Sequence, residues 1–212
     1  MYEIQTYLGA DGLMHCTVCK EPVEAFYPKG SLLEMRKHHR QCACERKAYA
    51  EEAQYYKEKE HRELIARNKK ICFEEKEMEG FTFQNVERDS GVIRIAEEYV
   101  TNWQKMKQNH MGYLFWGPVG TGKSYLAACI ANALLEKEVT VKMTNFNTIL
   151  NDLFAAEDKT EYIRLLNGYE LLIIDDLGVE RNSEYALENI FSVIDWRYQS
   201  GKPLIITTNI PL

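Results

Sequence analysis

GPVGTGKS, residues Gly117 to Ser124, is the stretch on which the reading of this chain turns. It has the spacing G-x-x-x-x-G-K-[ST] and lies between a short apolar run, Gly112–Trp116, and an amphipathic run, Lys123–Glu136. That context is a strand, a tight loop and a helix. Gly117, Gly120 and Gly122 free the backbone to curl so that its N–H groups point inward at phosphate oxygens. The N-terminus of the helix adds partial positive charge. Lys123 is expected to reach the β- and γ-phosphates and the Ser124 hydroxyl to ligate Mg²⁺. The residues expected around the nucleotide are Gly117, Pro118, Val119, Gly120, Thr121, Gly122, Lys123, Ser124 and Tyr125.

A second stretch, LLIIDDLG at 171–178, is an apolar strand that ends in acid. Such a strand buries itself and delivers its carboxylates to the carboxyl edge of the sheet, where ligands of open α/β sheets bind. Asp175 is expected to hold Mg²⁺ through water and Asp176 to orient and deprotonate the attacking water. A third stretch, Thr207–Thr208–Asn209, closes the last apolar run. If that strand lies between the other two, Asn209 sits beside the γ-phosphate or the water. Lys123, Asp175, Asp176 and Asn209 are thus the candidate catalytic set.

Around these motifs, strands alternate with helices. Strands are expected at Val139–Met143, Leu171–Asp175 and Leu204–Thr208, and helices at Ile93–Trp103, Phe146–Ala155 and Thr160–Asn167. A further helix, capped by Asn182 or Ser183, runs to Gln199 with Leu187, Ile190, Phe191 and Ile194 inward. Alternation of this kind predicts an α/β fold of the P-loop NTPase type, a parallel sheet with helices on both faces. Residues 45–80 are nearly free of Gly and Pro and rich in Glu, Lys, Arg and Ala, which predicts a charged helical linker ending at Gly80, with a weak stripe of Ala53, Tyr56, Leu64 and Ile71. Three parts follow: a module over 1–44, the linker over 45–80 and the nucleotide-binding core over 81–212.

The net charge of −6 is unevenly spread: residues 29–70 carry twelve Lys/Arg against seven Glu, residues 71–212 thirteen against twenty-one acids. Any nucleic-acid contact is therefore expected in the earlier part. No apolar run approaches the ~18 residues of a membrane span, and no secretory pattern is visible at the N-terminus, so the expected compartment is the cytoplasm.

Without a secretory signal, the six cysteines do not read as a disulfide framework. Cys16-x₂-Cys19 and Cys42-x-Cys44 instead offer four thiolates for a tetrahedral Zn²⁺. His15, His38 and His39 are alternative ligands. A segment this short buries too little core to fold without such a staple. Basic residues Arg36, Lys37, Arg40, Arg46 and Lys47 lie close by, and Phe26 and Tyr27 either stack on bases or form the module's small core.

The motifs, in this order, resemble the AAA+ ATPases. GPVGTGKS, IIDDLGVER, WRYQSGKPLIITTN and FTFQN (81–85) resemble the DnaC/DnaI-type helicase loaders and the related IstB-like transposition ATPases. The resemblance covers about Phe81 to the C-terminus. It implies ATP as nucleotide, ATP-dependent homo-oligomerisation, binding to single-stranded DNA and delivery of a replicative DNA helicase through the N-terminal region. It also implies that the segment near FTFQN lies against the adenine. Two departures matter. AAA+ proteins usually carry Asp-Glu where this chain has Asp175-Asp176, and the side chain shorter by one methylene, ~1.5 Å, suits slow, switch-like hydrolysis. The family also continues with a fifth strand, an arginine finger and a helical lid beyond the position of Leu212, so the core is expected to be C-terminally truncated, with Leu114 and Phe115 on an uncovered edge. Arg181 and Arg197 are read as surface or interface residues rather than as the finger. Besides a helicase loader, two readings stay open: an IstB-like ATPase that assists a transposase, and a nucleotide-gated adaptor without efficient hydrolysis.

Overall fold

The computed structural model describes residues 5–33, 36–85, 91–178 and 184–210. The chain forms two compact units, Met1–Glu63 and Leu64–Leu212. The first unit contains two antiparallel hairpins. β1 (Thr6–Leu8) pairs with β2 (Met14–Cys16), and β3 (Glu24–Phe26) pairs with β4 (Lys37–His39). These are three-residue strands with little to bury: Cys16, Val23 and Cys42 are the core, with Met14, Cys19 and Cys44 packed against them. Phe26 is exposed and stands outside that core, its ring facing the Lys37 ammonium.

Helix α1 (Ala43–Cys72) runs through the charged segment. Its buried residues are Ile65 and Cys72, while Tyr56 and Ile71 of the expected stripe are about half exposed. The helix stops at Cys72, short of Gly80, because Phe73 turns into the core of the second unit. Beyond it, the Glu74 carboxylate accepts from the hydroxyls of Thr144 at 2.6 Å and Thr148 at 3.0 Å. Residues Lys76–Gly80 and Phe83–Asn85 form single 3₁₀ turns.

The second unit holds a four-stranded, all-parallel sheet: β5 (Tyr113–Trp116), β6 (Val141–Asn145), β7 (Leu171–Leu177) and β8 (Leu204–Thr208), in spatial order β5-β8-β7-β6. The helices are α2 (Gly91–Thr101), α3 (Trp103–Gln108), α4 (Lys123–Leu135), α5 (Phe146–Ala155), α6 (Lys159–Gly168) and α7 (Glu184–Gln199). The pleat of β7 distributes its side chains between two cores. Leu171 and Ile173 join α2, α3 and α4, whereas Leu172 and Ile174 join α5, α6 and α7. All four are fully buried, which is why LLII is apolar without alternation. Helix α4 is enclosed along most of its length, and its Ala127, Ala128 and Ala131 let the sheet approach closely.

Two local rules fix the ends of the sheet. A Cβ on Gly112 would meet the Leu204 carbonyl oxygen at 2.0 Å, so only glycine lets β5 start beside β8. Asn145 caps α5 by accepting from the Thr148 amide at 2.9 Å, and Asp158 caps α6 through the amides of Thr160 and Glu161. The expected cap residues Asn182 and Ser183, and Arg181, lie outside the described residues.

In two places the packing differs from the sequence expectation. Helix α7 turns Ala186, Asn189, Val193 and Arg197 inward, with Ile190 packed beside them; Leu187 and Phe191 are exposed. The reason is Arg197, which is 1% exposed and not a surface residue. Its guanidinium donates to the carbonyl oxygens of Tyr169 (2.9 Å), Glu170 (2.8 Å) and Pro203 (2.7 and 3.1 Å). Those bonds tie the entries to β7 and β8 to the end of α7 and set the rotation of the helix. Burial lowers the Arg197 pKa to about 10, so it stays charged at neutral pH. On β5, Phe115 leans on the first core and Leu114 and Trp116 face solvent.

Candidate functional site

The parallel strands end together, and the motifs meet at that edge. β8 lies between β5 and β7, with Trp116 opposite Thr208 and Ile174 opposite Ile206. This is the arrangement on which a role for Asn209 depended. The loop after β5 has Gly117, Gly120 and Gly122 at φ +144°, +81° and +84°. An added Cβ would find open space at Gly120 and Gly122, so conformation and not crowding demands glycine there. Helix α4 starts at Lys123, and the Leu126 amide already donates to the Gly122 carbonyl at 2.9 Å. The free N–H groups of this first turn point back toward the loop.

Lys123 is half-buried. Its ammonium donates to the carbonyl oxygens of Gly117 and Pro118, both at 3.0 Å, and to Asn209 Oδ1 at 2.7 Å. Asn209 Nδ2 in turn donates to Asp176 Oδ1 at 3.0 Å. Lys123, Asn209 and Asp176 therefore form one hydrogen-bonded chain that crosses the carboxyl ends of three strands. Asp175 is partly buried and accepts at 2.5 Å from the Thr207 hydroxyl. Thr121, exposed, folds its hydroxyl onto the Pro118 carbonyl at 2.9 Å. Ser124 begins the second residue of α4, and Pro118 and Val119 are at the exposed rim.

Asp176 has φ +51°, a left-handed backbone that Asp tolerates better than Glu. The register between β7 and β8 shifts between Ile174 and Leu177, a bulge around the two acids. Asp175 keeps its register opposite Asn145 of β6, and the left-handed backbone of Asp176 breaks the alternation after it. Thr207, quoted in the sequence only as part of the strand end, is the residue that the reading of motifs missed. It is fully buried, and its hydroxyl touches both acids. A β-branched hydroxyl two residues before Asn209 is common in strands, so no local signal marks it.

Behind the loop, Phe81 stacks on Tyr125 with ring centroids 4.5 Å apart, and the Tyr125 hydroxyl donates to the Thr82 carbonyl at 3.2 Å. Burial raises the Tyr125 pKa, so it acts as a neutral donor. The FTFQN segment thus packs directly on the helix that follows the glycine loop.

The four cysteines of the first unit converge: the Sγ atoms of Cys16, Cys19, Cys42 and Cys44 all lie within 4.8 Å of one another. A tetrahedral Zn²⁺ with bonds of ~2.3 Å needs sulfurs roughly 3.8 Å apart, so the set fits. Cys16 and Cys19 sit on a tight turn, where the Val18 amide donates to Cys16 Sγ at 3.4 Å. Cys42 immediately precedes α1 and Cys44 lies in its first turn, and burial raises the Cys42 thiol above its ordinary value. The Cys19 thiol is lowered to about 6, chiefly by the Glu21 backbone amide, while burial raises Cys44 to about 11. The histidines are engaged elsewhere. His15 bonds Asp11 and the Lys20 carbonyl, His39 lies 3.2 Å from Glu45, and His38 bonds the His39 carbonyl. Of the nearby basic residues, Lys37, Arg46 and Lys47 pair with Glu24, Glu21 and Glu51.

No helix among the described residues is long and apolar enough to cross a membrane. A family model described as IstB-like ATP binding protein matches residues 48–212. The chain is 29% identical over 128 residues to the replicative helicase loader DnaC of Escherichia coli strain K12, covering 58% of this chain and 51% of that protein. It is 31% identical over 139 residues to a putative insertion sequence ATP-binding protein of Sinorhizobium fredii, covering 64% and 45%. The chain thus spans about half the length of the curated relatives it matches. Its fold superposes on the crystal structure of DnaI with a TM-score of 0.57 and 25% identity, over 68% of this chain and 79% of that one. A parallel sheet with helices on both faces, a glycine loop at its carboxyl edge and a family match over most of the chain lead to one conclusion: this protein belongs to the IstB-like ATP binding proteins, as a DnaC-type AAA+ protein.

Proposed function

We propose that the chain is an ATP-binding protein of DNA replication that loads a replicative helicase onto single-stranded DNA, with ATP hydrolysis as a slow switch. The observation that carries the reading is the chain Lys123–Asn209–Asp176, which links the phosphate loop to the acid pair through the last strand. In it, Gly117 to Tyr125 hold ATP, with the Lys123 ammonium exchanging its carbonyl partners for phosphate oxygens. Ser124 and Asp175 hold Mg²⁺, which neutralises charge on the phosphates when bound. Asp176 orients the attacking water and takes its proton, and Asn209 holds Asp176 in place. A carboxylate shorter than Glu, on a left-handed backbone, supports slow turnover.

In the same reading residues 1–44 form a Zn²⁺ module on Cys16, Cys19, Cys42 and Cys44, residues 45–80 a linker and residues 81–212 the AAA+ core. The module contacts the helicase or single-stranded DNA, and ATP drives homo-oligomerisation in the cytoplasm. The likeness to DnaC supports the helicase as partner. The match to an insertion sequence ATP-binding protein favours a second reading, in which the partner is a transposase.

Two measurements test this. Binding of a fluorescent ATP analogue should be lost on Lys123→Ala; equal binding by both chains removes the site assignment. Co-purification with a replicative helicase should depend on the intact cysteine module; retention of a transposase and no helicase selects the second reading.

A further inference from the structure

Thr207 occupies a position that the roles above do not use. It is fully buried at the end of β8, between the phosphate-loop strand β5 and the acid-bearing strand β7. Its hydroxyl makes two bonds. It accepts from the Asp176 backbone amide at 2.9 Å and donates to Asp175 Oδ1 at 2.5 Å. The first bond satisfies an N–H that the bulge in β7 removes from the regular ladder. The second fixes the direction of the carboxylate by occupying one of its oxygens. The single hydroxyl proton has one available use here, because the hydroxyl already accepts from the amide.

Asp176 is consequently held from both ends. Thr207 holds its main chain in the left-handed conformation, and Asn209 holds its side chain at 3.0 Å. The next residue, Thr208, completes the brace by donating to the Leu177 carbonyl at 2.6 Å, on the far side of the bulge. β8 therefore works as a template that shapes the tip of β7. Thr207 engages one oxygen of Asp175 and leaves the other outside that bond.

We infer that Thr207 is a positioning residue of this site: its hydroxyl sets the geometry of both acids, so that Asp175 presents one oxygen to the metal of a metal–nucleotide complex and Asp176 is aimed by its backbone. The inference rests on the ATP-binding reading. It assigns metal-dependent steps to Thr207 and leaves metal-free phosphate binding to the loop.

Binding of a fluorescent ATP analogue, in EDTA and in Mg²⁺, and ATP turnover are measured for the full chain and for Thr207→Val and Thr207→Ser. Valine keeps the shape and removes both bonds; serine keeps the hydroxyl. The expected result for valine is EDTA binding within twofold of wild type, loss of at least fivefold of the tightening by Mg²⁺, and turnover at least tenfold lower. Serine should stay within twofold of wild type in every assay. If the valine chain shows no cooperative thermal transition, Thr207→Ala removes the hydroxyl without an added methyl and is held to the same values. Wild-type behaviour of the valine or alanine chain in Mg²⁺ overturns the inference, as does a serine chain impaired like valine. An equal loss of EDTA binding by valine also overturns it, because the effect is then not confined to the metal step. A wild-type chain that binds no nucleotide in either buffer removes the ATP reading itself, a result distinct from all of these.

Discussion

Asn209 Oδ1 accepts from the Lys123 ammonium at 2.7 Å, across 86 positions of sequence. The contact exists because β5 and β8 are neighbours with their carboxyl ends level. It places a side-chain amide where it touches the lysine after the glycine loop and the second acid at once.

The amide should matter for turnover more than for binding. Asn209→Ala removes both of its bonds and leaves the loop and helix N-terminus intact. Turnover is expected to fall by about tenfold or more, with ATP affinity changed by only a few fold. Asp176→Asn should keep the left-handed backbone, which Asn tolerates, and abolish turnover with affinity retained. Single-turnover rates beside equilibrium titrations separate the two effects; a matched loss in both would show that Asn209 is a binding residue.

Arg197 is the largest fully buried side chain of the second unit, and carbonyl oxygens surround its guanidinium. Arg197→Met fills most of the volume but strands those acceptors. A loss of about 2–3 kcal/mol of stability is expected, read as a lower urea midpoint at unchanged slope. Arg197→Lys should recover little, since an ammonium cannot span three carbonyls set for a planar fork. A midpoint unchanged in Arg197→Met would mean that water replaces the guanidinium at no cost.

The cysteine quartet predicts about one Zn²⁺ per chain in protein purified without chelator, measured by elemental analysis. Cys16→Ser or Cys42→Ser should lose the metal and the protection of the first unit from proteolysis, because its other core contribution is little more than Val23 and Met14. ATP binding by the second unit should persist in both variants.

Cys72 and Cys129 should be inert. Burial in the core pushes each thiol up to about 12, so at pH 8 a fraction on the order of 10⁻⁴ is thiolate. A raised thiol pKa means that the reactive form grows only as pH climbs toward that value. Alkylation at pH 8, followed by mass spectrometry, should label neither residue in the folded chain and both in urea. Rapid native labelling of Cys129 would mean that helix α4 opens readily.

Much of the second unit was legible from local pattern. The strand carrying Asp175 and Asp176, the loop Gly117–Ser124 and the helix after that loop are each contiguous, and their chemistry depends on neighbours in sequence. The four cysteines were legible for a similar reason, since soft ligands in two close pairs have few other uses. Helix α7 was legible as a helix but not in its rotation. It carries two apolar stripes, one through Leu187 and Phe191 and one through Ala186, Ile190 and Val193. Periodicity alone does not choose between them.

What the sequence by itself determined, then, is the type of the main elements of the second unit, the glycine loop that follows β5 and the pairing of the four cysteines, because hydrophobic period and ligand chemistry act over a few residues. Only the tertiary structure decided that β8 stands between β5 and β7, that Arg197 is interior, and that Thr207 braces the two acids. Those outcomes depend on hydrogen bonds between strands and helix ends far apart in the chain. Each is set by which buried donor meets which buried acceptor once the sheet has closed, and no short window of sequence contains both partners.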